Sequence, residues 1–473
     1  MMTIALVAAL ASAEPTASNP AGPWGEIAKS DIDAIRTLLR DNHPGLVDPD
    51  NHTYAERFQV NYPKALALAA KAGTFFDYKR AVLAYTNGFR DGHTVVLFQV
   101  DATSYRWPGF TATSDEQGTY SIAEAEGEAA VASGDELLSC DGYSIDHLMR
   151  ERIDPYFWNA DIPHERSSHI GKLFVIDASD ESSKMKSCRI RTGTGERDIP
   201  LAWRSLANTR AEALRGKHFY EGEPALTKVG DTWLIRLPSF MFQTPQQVKQ
   251  IRHVLSEIAV NSDEIRRSKV VLDVRGNAGG SSSWGSEIAK QLWGEPLVSH
   301  VESSFDWTAD WRASPANLKR VDETIQRLER DGIGAEYQRK VRRLIAAALS
   351  EGKPLARVPA EATSKGKPPP PSRFAGRAYL LTDGVCASAC LDFADIVRRM
   401  PNTTHIGWPT SADTVYVENT LVPLPSGLGL FTYSMKANRK RSRGNNEWYE
   451  PQIRWPGGPA TDAAVAVWIS GLK

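Results

Sequence analysis

Two short apolar runs flank an amphipathic stretch between Thr232 and Val274, and this pattern constrains the chain more than any other. Thr232-Trp233-Leu234-Ile235-Arg236-Leu237 reads as a buried strand. Val248, Ile251, Val254, Leu255 and Ile258 recur at helical spacing, and Lys269 to Val274 is a second apolar strand. Strand, helix, strand predicts a βαβ unit and a partly parallel sheet. Ala378-Tyr379-Leu380-Leu381-Thr382 adds a further strand, followed by a helix with Leu391, Phe393, Ala394, Ile396 and Val397 as its apolar positions.

This unit needs only part of the chain. At 473 residues the prior is about three domains. Hydrophobic residues at 41% and charged residues at 24% exclude disorder, collagen and coiled coil as whole-chain readings. A net charge of −1 gives no global electrostatic reason to bind nucleic acid or an acidic membrane.

From Ser30 to about Phe98 the pattern is helical. Ser30 with Asp33 suggests a capping box, Ile32, Ile35, Leu38 and Leu39 follow, and His43-Pro44-Gly45 ends the helix. Phe76, Tyr78, Val82 and Tyr85 mark a second helix. From 101 to 205 the texture is short β-like runs. Within it, Gly134-Asp135-Glu136-Leu137-Leu138-Ser139-Cys140-Asp141-Gly142-Tyr143 resembles a stretch of PDZ domains, with Asp141-Gly142 as a turn; a generic hairpin is the plainer reading. Residues 305–372 interrupt the βαβ region. Val321, Ile325, Leu328, Val341, Leu344 and Ile345 predict a helical insertion with a stiff exit at Pro368 to Pro371.

Thr3 to Leu10 followed by Ala11-Ser12-Ala13 resembles a secretory leader cut before Glu14, with 14–29 as a linker. The expected location is therefore periplasmic or secreted. No other segment reaches the ~18 apolar residues of a membrane span. The four cysteines match no zinc-site spacing. Two readings are open: local bridges within the pairs Cys140, Cys188 and Cys386, Cys390, or four buried free thiols.

Three segments can carry chemistry. Ser388, in Cys386-Ala387-Ser388-Ala389-Cys390, lies between an apolar strand and an apolar helix. A serine there projects above the sheet edge beside unpaired helix N–H groups able to hold an oxyanion. Taken alone, it is more simply a helix N-cap. Arg275-Gly276-Asn277-Ala278-Gly279-Gly280 follows a buried strand, and its glycines let backbone approach a ligand. It lacks the Lys-Ser/Thr of a phosphate-binding loop. His93, in Asp91-Gly92-His93-Thr94, sits in a turn.

Jointly, "D-x-R-x-N-x-GG", the later "A-S-A" and the upstream "DGHT" resemble the C-terminal processing (tail-specific) serine peptidases, a family that includes the tricorn core protease and the repeats of interphotoreceptor retinoid-binding protein. Ile235 to Phe240 resembles the opening of its catalytic domain. The resemblance implies an α/β fold: a helical N-terminal region (30–100), a PDZ-like β domain (101–205), and a βαβ-type, crotonase-like catalytic domain (225–473) carrying the insertion. The tail-specific branch places a catalytic Lys where this chain has Asp413, and an ionised Asp is a poor base for a hydroxyl. The closer likeness is to the tricorn-core-like Ser/His/Glu branch. It implies Ser388 as nucleophile, His93 as base and Glu447 as the orienting acid, with Glu450 as the alternative. Ala389 and Gly279 or Gly280 would form the oxyanion hole. The partner implied is a polypeptide substrate; no cofactor, metal or nucleic acid is called for.

Two rivals stand beside this reading. Retinoid-binding relatives use a similar fold without catalysis, and the same triad cleaves esters, although the G-x-S-x-G elbow of esterases is absent. Lys436, Arg439, Lys440, Arg441 and Arg443 form either a solvated hairpin or an anion-attracting rim.

Overall fold

The computed structural model describes residues 23–98, 104–114, 118–126, 131–157, 169–178, 180–207, 222–242, 244–305, 307–330, 334–359, 366–456 and 462–472, with 162, 166, 211, 332 and 364 between them. The leader expected at 1–13 and residues 14–22 of the expected linker lie outside the described residues.

Three helices open the described chain: α1 (Trp24–Asn42), α2 (His52–Ala69) and α3 (Phe75–Asn87), followed by β1 (Val96–Phe98). α1 buries Trp24, Ala28, Ile32, Ile35 and Leu39 on one face, at the three- and four-residue spacing of a helix. That stripe begins at Trp24, so helix occupies the end of the expected linker, and Ser30 lies mid-helix rather than at a cap. Asp33 instead takes hydrogen bonds from Lys29 and Tyr62. Capping boxes do form, at Thr74 with Asp77 and at Thr244 with Gln247. α1 stops where the sequence predicts, because His43 is extended ahead of Pro44.

A β-rich region follows: β2 (Tyr105–Trp107), β3 (Phe110–Ser114), β4 (Tyr120–Ala125), β5 (Glu136–Cys140), β6 (Tyr143–Ser144), α4 (Ile145–Arg152), β7 (Ile176–Asp177), β8 (Ser187–Thr192), β9 (Gly195–Pro200) and β10 (Arg204–Leu206). β3-β4-β5-β8-β9 form one sheet, with β6 on β5; β10-β2-β7 form another. Asp141 and Gly142 both take positive φ, as a tight two-residue turn requires. The Asp141 carboxylate also accepts the N–H groups of Lys186 and Ser187. Cys140 faces Cys188 across β5 and β8, and the two are bridged.

The last region comprises β11 (Ala225–Val229), β12 (Thr232–Arg236), α5 (Pro245–Val260), β13 (Lys269–Asp273), α6 (Ser282–Trp293), α7 (Glu295–Ser304), β14 (Thr308–Arg312), α8 (Pro315–Arg330), α9 (Glu336–Ser350), β15 (Leu355–Val358), β16 (Arg377–Thr382), α10 (Ala389–Val397), β17 (Thr403–Gly407), β18 (Tyr416–Pro423), β19 (Gly429–Arg439), β20 (Ile453–Arg454) and α11 (Asp462–Ser470). Its main sheet runs β11-β12-β13-β16-β17-β20, parallel from β12 onward. Alternate residues of each strand serve opposite faces. Ile235, Leu272 and Leu380 meet residues of α5, α6, α7 and α10. Leu234, Val271 and Leu381 meet Val465 and Ile469 of α11. Burial on both faces is why these strands read as continuous apolar runs.

The helices expected in the interruption are α8 and α9. The strands beside them, β14 and β15, were not legible in the sequence. They extend a second sheet, ordered β1-β19-β14-β15 with β18 on β19. Val321, Val341 and Ile345 of the interruption share a core with Ile32 and Tyr78 of the N-terminal helices and Phe431 of β19. This segment is therefore built into the N-terminal core. Among the described residues no helix is long and apolar enough to cross a membrane.

Candidate active site

The turn between β16 and α10 carries Ser388 at φ 53° and ψ −121°. A residue with a Cβ rarely occupies such a conformation, and it persists only where the surroundings impose it. Here they do. The Ala387 N–H donates to the Asn277 carbonyl at 3.3 Å, and the Cys386 N–H to the Asp383 carbonyl at 3.1 Å. A disulfide joins Cys386 to Cys390 across the serine. Ser388 stands at the N-cap position of α10, but its side chain makes no cap hydrogen bond. The strand–turn–helix setting gives the serine the posture of a nucleophile on an elbow.

The Arg275–Gly280 loop packs against this turn. The Asn277 side chain spans it, donating to the Leu237 carbonyl at 2.8 Å and accepting the Gly279 N–H at 2.9 Å. Gly279 has φ +101°, and a Cβ there would lie 2.8 Å from the Ser388 Cβ and 2.9 Å from the Ala389 nitrogen. Only glycine allows this approach. Of the adjacent glycines Gly279 and Gly280, Gly279 thus has its N–H engaged by Asn277. Asp383 ties loop to elbow by accepting the N–H groups of Gly276 (2.8 Å) and Val385 (3.0 Å). Burial pushes its carboxyl up to about 6, against the pull of these two donors.

His93 comes from the N-terminal region and is seated on the last one. β1, three residues beyond it, pairs with β19 through Val96 and Phe431. Thr432 adds two bonds, its N–H to the Val95 carbonyl and its hydroxyl to the His93 carbonyl. The His93 Nδ1 lies 2.7 Å from the Tyr416 carbonyl oxygen. A carbonyl only accepts, so Nδ1 carries the proton and Nε2 is left as the basic nitrogen.

Asp91 organises the turn. It accepts the His93 N–H and the hydroxyls of Thr94 and Thr414. Its other neighbour is His43 Nε2 at 3.4 Å. Burial raises the Asp91 carboxyl, but the His43 contact, the charge of His93 and the His93 N–H outweigh it and hold the group at about 2. Burial lowers the pKa of His43, against the pull of Asp91. Its Nδ1 accepts the Gly45 N–H, which places its proton on Nε2, facing Asp91.

The expected orienting acids are placed differently. Glu447 is exposed and its carboxylate accepts the Gly444 N–H; its backbone bridges Asp413. Glu450 is exposed and receives the Trp448 indole N–H and the Arg454 guanidinium. The tautomer-fixing bond that the sequence reading assigned to Glu447 is made by the Tyr416 carbonyl. A main-chain acceptor leaves no trace in residue types, which is why sequence reasoning missed it. Asn277 and Asp91 were visible inside the quoted motifs, but nothing in their spacing distinguished them from turn residues; Asp383 lies three residues ahead of the quoted serine segment.

Four residues of the basic cluster are held in ion pairs, not free to attract an anion. Lys436 pairs with Glu418, and Arg439 with Asp48 and Asp310. Arg441 pairs with Asp413, and the buried Arg443 with Asp392, Asp395 and Asp413. Asp413, at the position of the other branch's lysine, is an ion-paired carboxylate. Burial raises its pKa, but Arg443 and Arg441 outweigh that and hold it low.

Residues 231–454 match the family described as Peptidase family S41. This segment is a serine-type peptidase domain. No curated protein sequence matches the chain. Among solved structures, mature CPAF is 15% identical, with 92% of this chain and 93% of that chain covered and a TM-score of 0.61. Mature CPAF complexed with lactacystin is 16% identical, with 92% and 94% covered and a TM-score of 0.63. At these identities the likeness is one of fold, and it extends over the N-terminal and β-rich regions as well as the peptidase domain.

Proposed function

We propose that the chain is an exported endopeptidase that cleaves extended or unfolded polypeptides through an acyl-enzyme on Ser388. The observation that carries this reading is the strained serine, which makes no cap bond and has Gly279 pressed against it. The Ser388 Oγ attacks the scissile carbonyl and His93 Nε2 takes its proton. The tetrahedral oxyanion is held by the N–H of Ala389 and of Gly280, since that of Gly279 serves Asn277. The C–N bond then breaks, and the imidazolium returns its proton to the leaving amine. Water, activated by the same nitrogen, hydrolyses the ester.

The Tyr416 carbonyl keeps the proton on Nδ1 throughout. The buried anion of Asp91 offsets the imidazolium charge, and Glu447 supplies a further carboxylate on the Asp413 side. Two features favour the Ser/His/Glu arrangement over a Ser-Lys dyad: Asp413 stands at the lysine position, and His93 already has its tautomer fixed. The β-rich region, read as PDZ-like, is proposed to hold part of the polypeptide. Export is supported by the leader-like N-terminus and by two disulfides, bonds that persist in oxidising compartments.

Ser388→Ala is the test. It should abolish peptide hydrolysis and labelling by a serine-directed fluorophosphonate while leaving the thermal unfolding midpoint in place. Labelling retained in this variant would sink the assignment.

A further inference from the structure

Arg443 is almost completely buried, yet it meets three carboxylates. Its Nη2 lies 2.8 Å from Asp392 and 3.2 Å from Asp413, and Nη1 contacts Asp395. Asp392 and Asp395 stand on α10 at i+4 and i+7 from Ser388, so they share the helical face that follows the nucleophile. Ser282 also donates to Asp392, and Ser442 and Tyr449 donate to Asp395.

Asp413 belongs to the other half of the site. The next residue, Thr414, donates to Asp91, and Tyr416 receives His93 Nδ1. The Asp413 carbonyl accepts the Asn446 N–H, and the Asn446 side chain donates to the Arg90 carbonyl in the histidine turn. Arg441 braces the same carboxylate at 2.7 Å. One guanidinium therefore links the helix behind the nucleophile to the segment that leads into β18, the strand that seats the base. β17 separates these two elements along the chain.

Buried ion pairs are weak contributors to stability, because desolvation offsets their attraction; a fixed registration is the best-attested use of such a group. A planar fork with several donors suits this, since it sets angles as well as distance. We propose that Arg443 is a positioning residue that fixes the separation of Ser388 and His93 by clamping α10 to Asp413. This rests on the reading of Ser388 as nucleophile and His93 as base.

The test measures fluorophosphonate labelling rate, kcat and KM on a peptide, and unfolding midpoint for the full chain and for Arg443→Met, Arg443→Lys and Asp392→Asn. Misplacement of a reacting pair by about 1 Å costs ~100-fold. Folded R443M should therefore label and turn over ~100-fold more slowly, with KM changed less than ~3-fold. R443K, which keeps charge but not the fork, should fall between. Asp392 is the half-exposed arm of the clamp, so D392N tests it even if R443M fails to fold, and should slow labelling in the same direction. Wild-type labelling that persists at full rate per folded molecule in R443M, or in D392N should R443M not fold, overturns the clamp alone. Absence of labelling in the wild type overturns the nucleophile reading and the clamp together.

Discussion

Gly279 and Ser388 are packed so closely that a Cβ on the glycine would lie 2.8 Å from the serine Cβ. The same added carbon would meet the Ala387 carbonyl oxygen at 2.8 Å, and the backbone is at φ +101°. Gly279→Ala must therefore move either the loop or the elbow. A loss of ~100-fold in kcat/KM is expected, as for other small misplacements of a reacting group. Peptide hydrolysis by folded G279A at near wild-type rate would show that the approach has no bearing on catalysis.

The two disulfides should separate by function. Cys140–Cys188 closes a span of 48 residues and Cys386–Cys390 a span of 4. On the chain-entropy argument their removal costs about 4 and about 2 kcal/mol. Yet only the shorter bridge encloses Ser388. The Cys386→Ser, Cys390→Ser double variant should lose labelling rate out of proportion to its small change in denaturation midpoint. The Cys140→Ser, Cys188→Ser variant should do the reverse. Equal labelling rates in the two folded variants would contradict this division.

Asp383 makes a pH prediction whose sign follows from its environment. Its folded pKa, pushed up to about 6, lies above the ~3.9 of an unfolded Asp. Between those values the folded state binds the proton more tightly, so this group's stabilisation is greatest below ~pH 4 and declines as pH rises through about 6. Asp383→Asn removes the titration. The wild-type Tm, relative to that of D383N, should rise as the buffer is taken from ~pH 6.5 to ~pH 4. A constant difference across that range would place the Asp383 titration elsewhere.

The two glutamates are distinguishable by charge removal alone. Glu447 is joined through its backbone to Asp413, whereas Glu450 faces Arg454. Glu447→Gln should lower kcat by ~10-fold by weakening the field at the imidazolium, and Glu450→Gln by less than ~2-fold. Steady-state kinetics on both variants decide it, and a larger loss from E450Q would reverse the assignment.

Much of the fold was legible because the responsible forces are local. The apolar runs at Thr232–Leu237, Lys269–Val274 and Ala378–Thr382 had to be buried on both faces, and they form the parallel sheet. The stop at His43-Pro44-Gly45 and the Asp141-Gly142 turn follow from backbone sterics within a few residues. The start of α1 was misjudged because Ser30 carries cap chemistry, while the stripe from Trp24 to Leu39 outweighs it. β14 and β15 were missed because β14 pairs with β19, far away in sequence, and β15 joins that sheet only through β14, across two intervening helices.

The sequence by itself determined the peptidase sheet, the serine between strand and helix, and the glycines beside it, since periodicity and φ requirements are properties of short segments. Only the tertiary structure decided what acts on them. The Tyr416 carbonyl that holds His93, the Leu237 carbonyl that takes the Asn277 side-chain N–H, and the Arg443 fork that joins α10 to Asp413 are contacts between segments separated along the chain. Their existence depends on how the sheets pack, because hydrogen bonds and ion pairs act over a few ångströms of space regardless of separation along the chain.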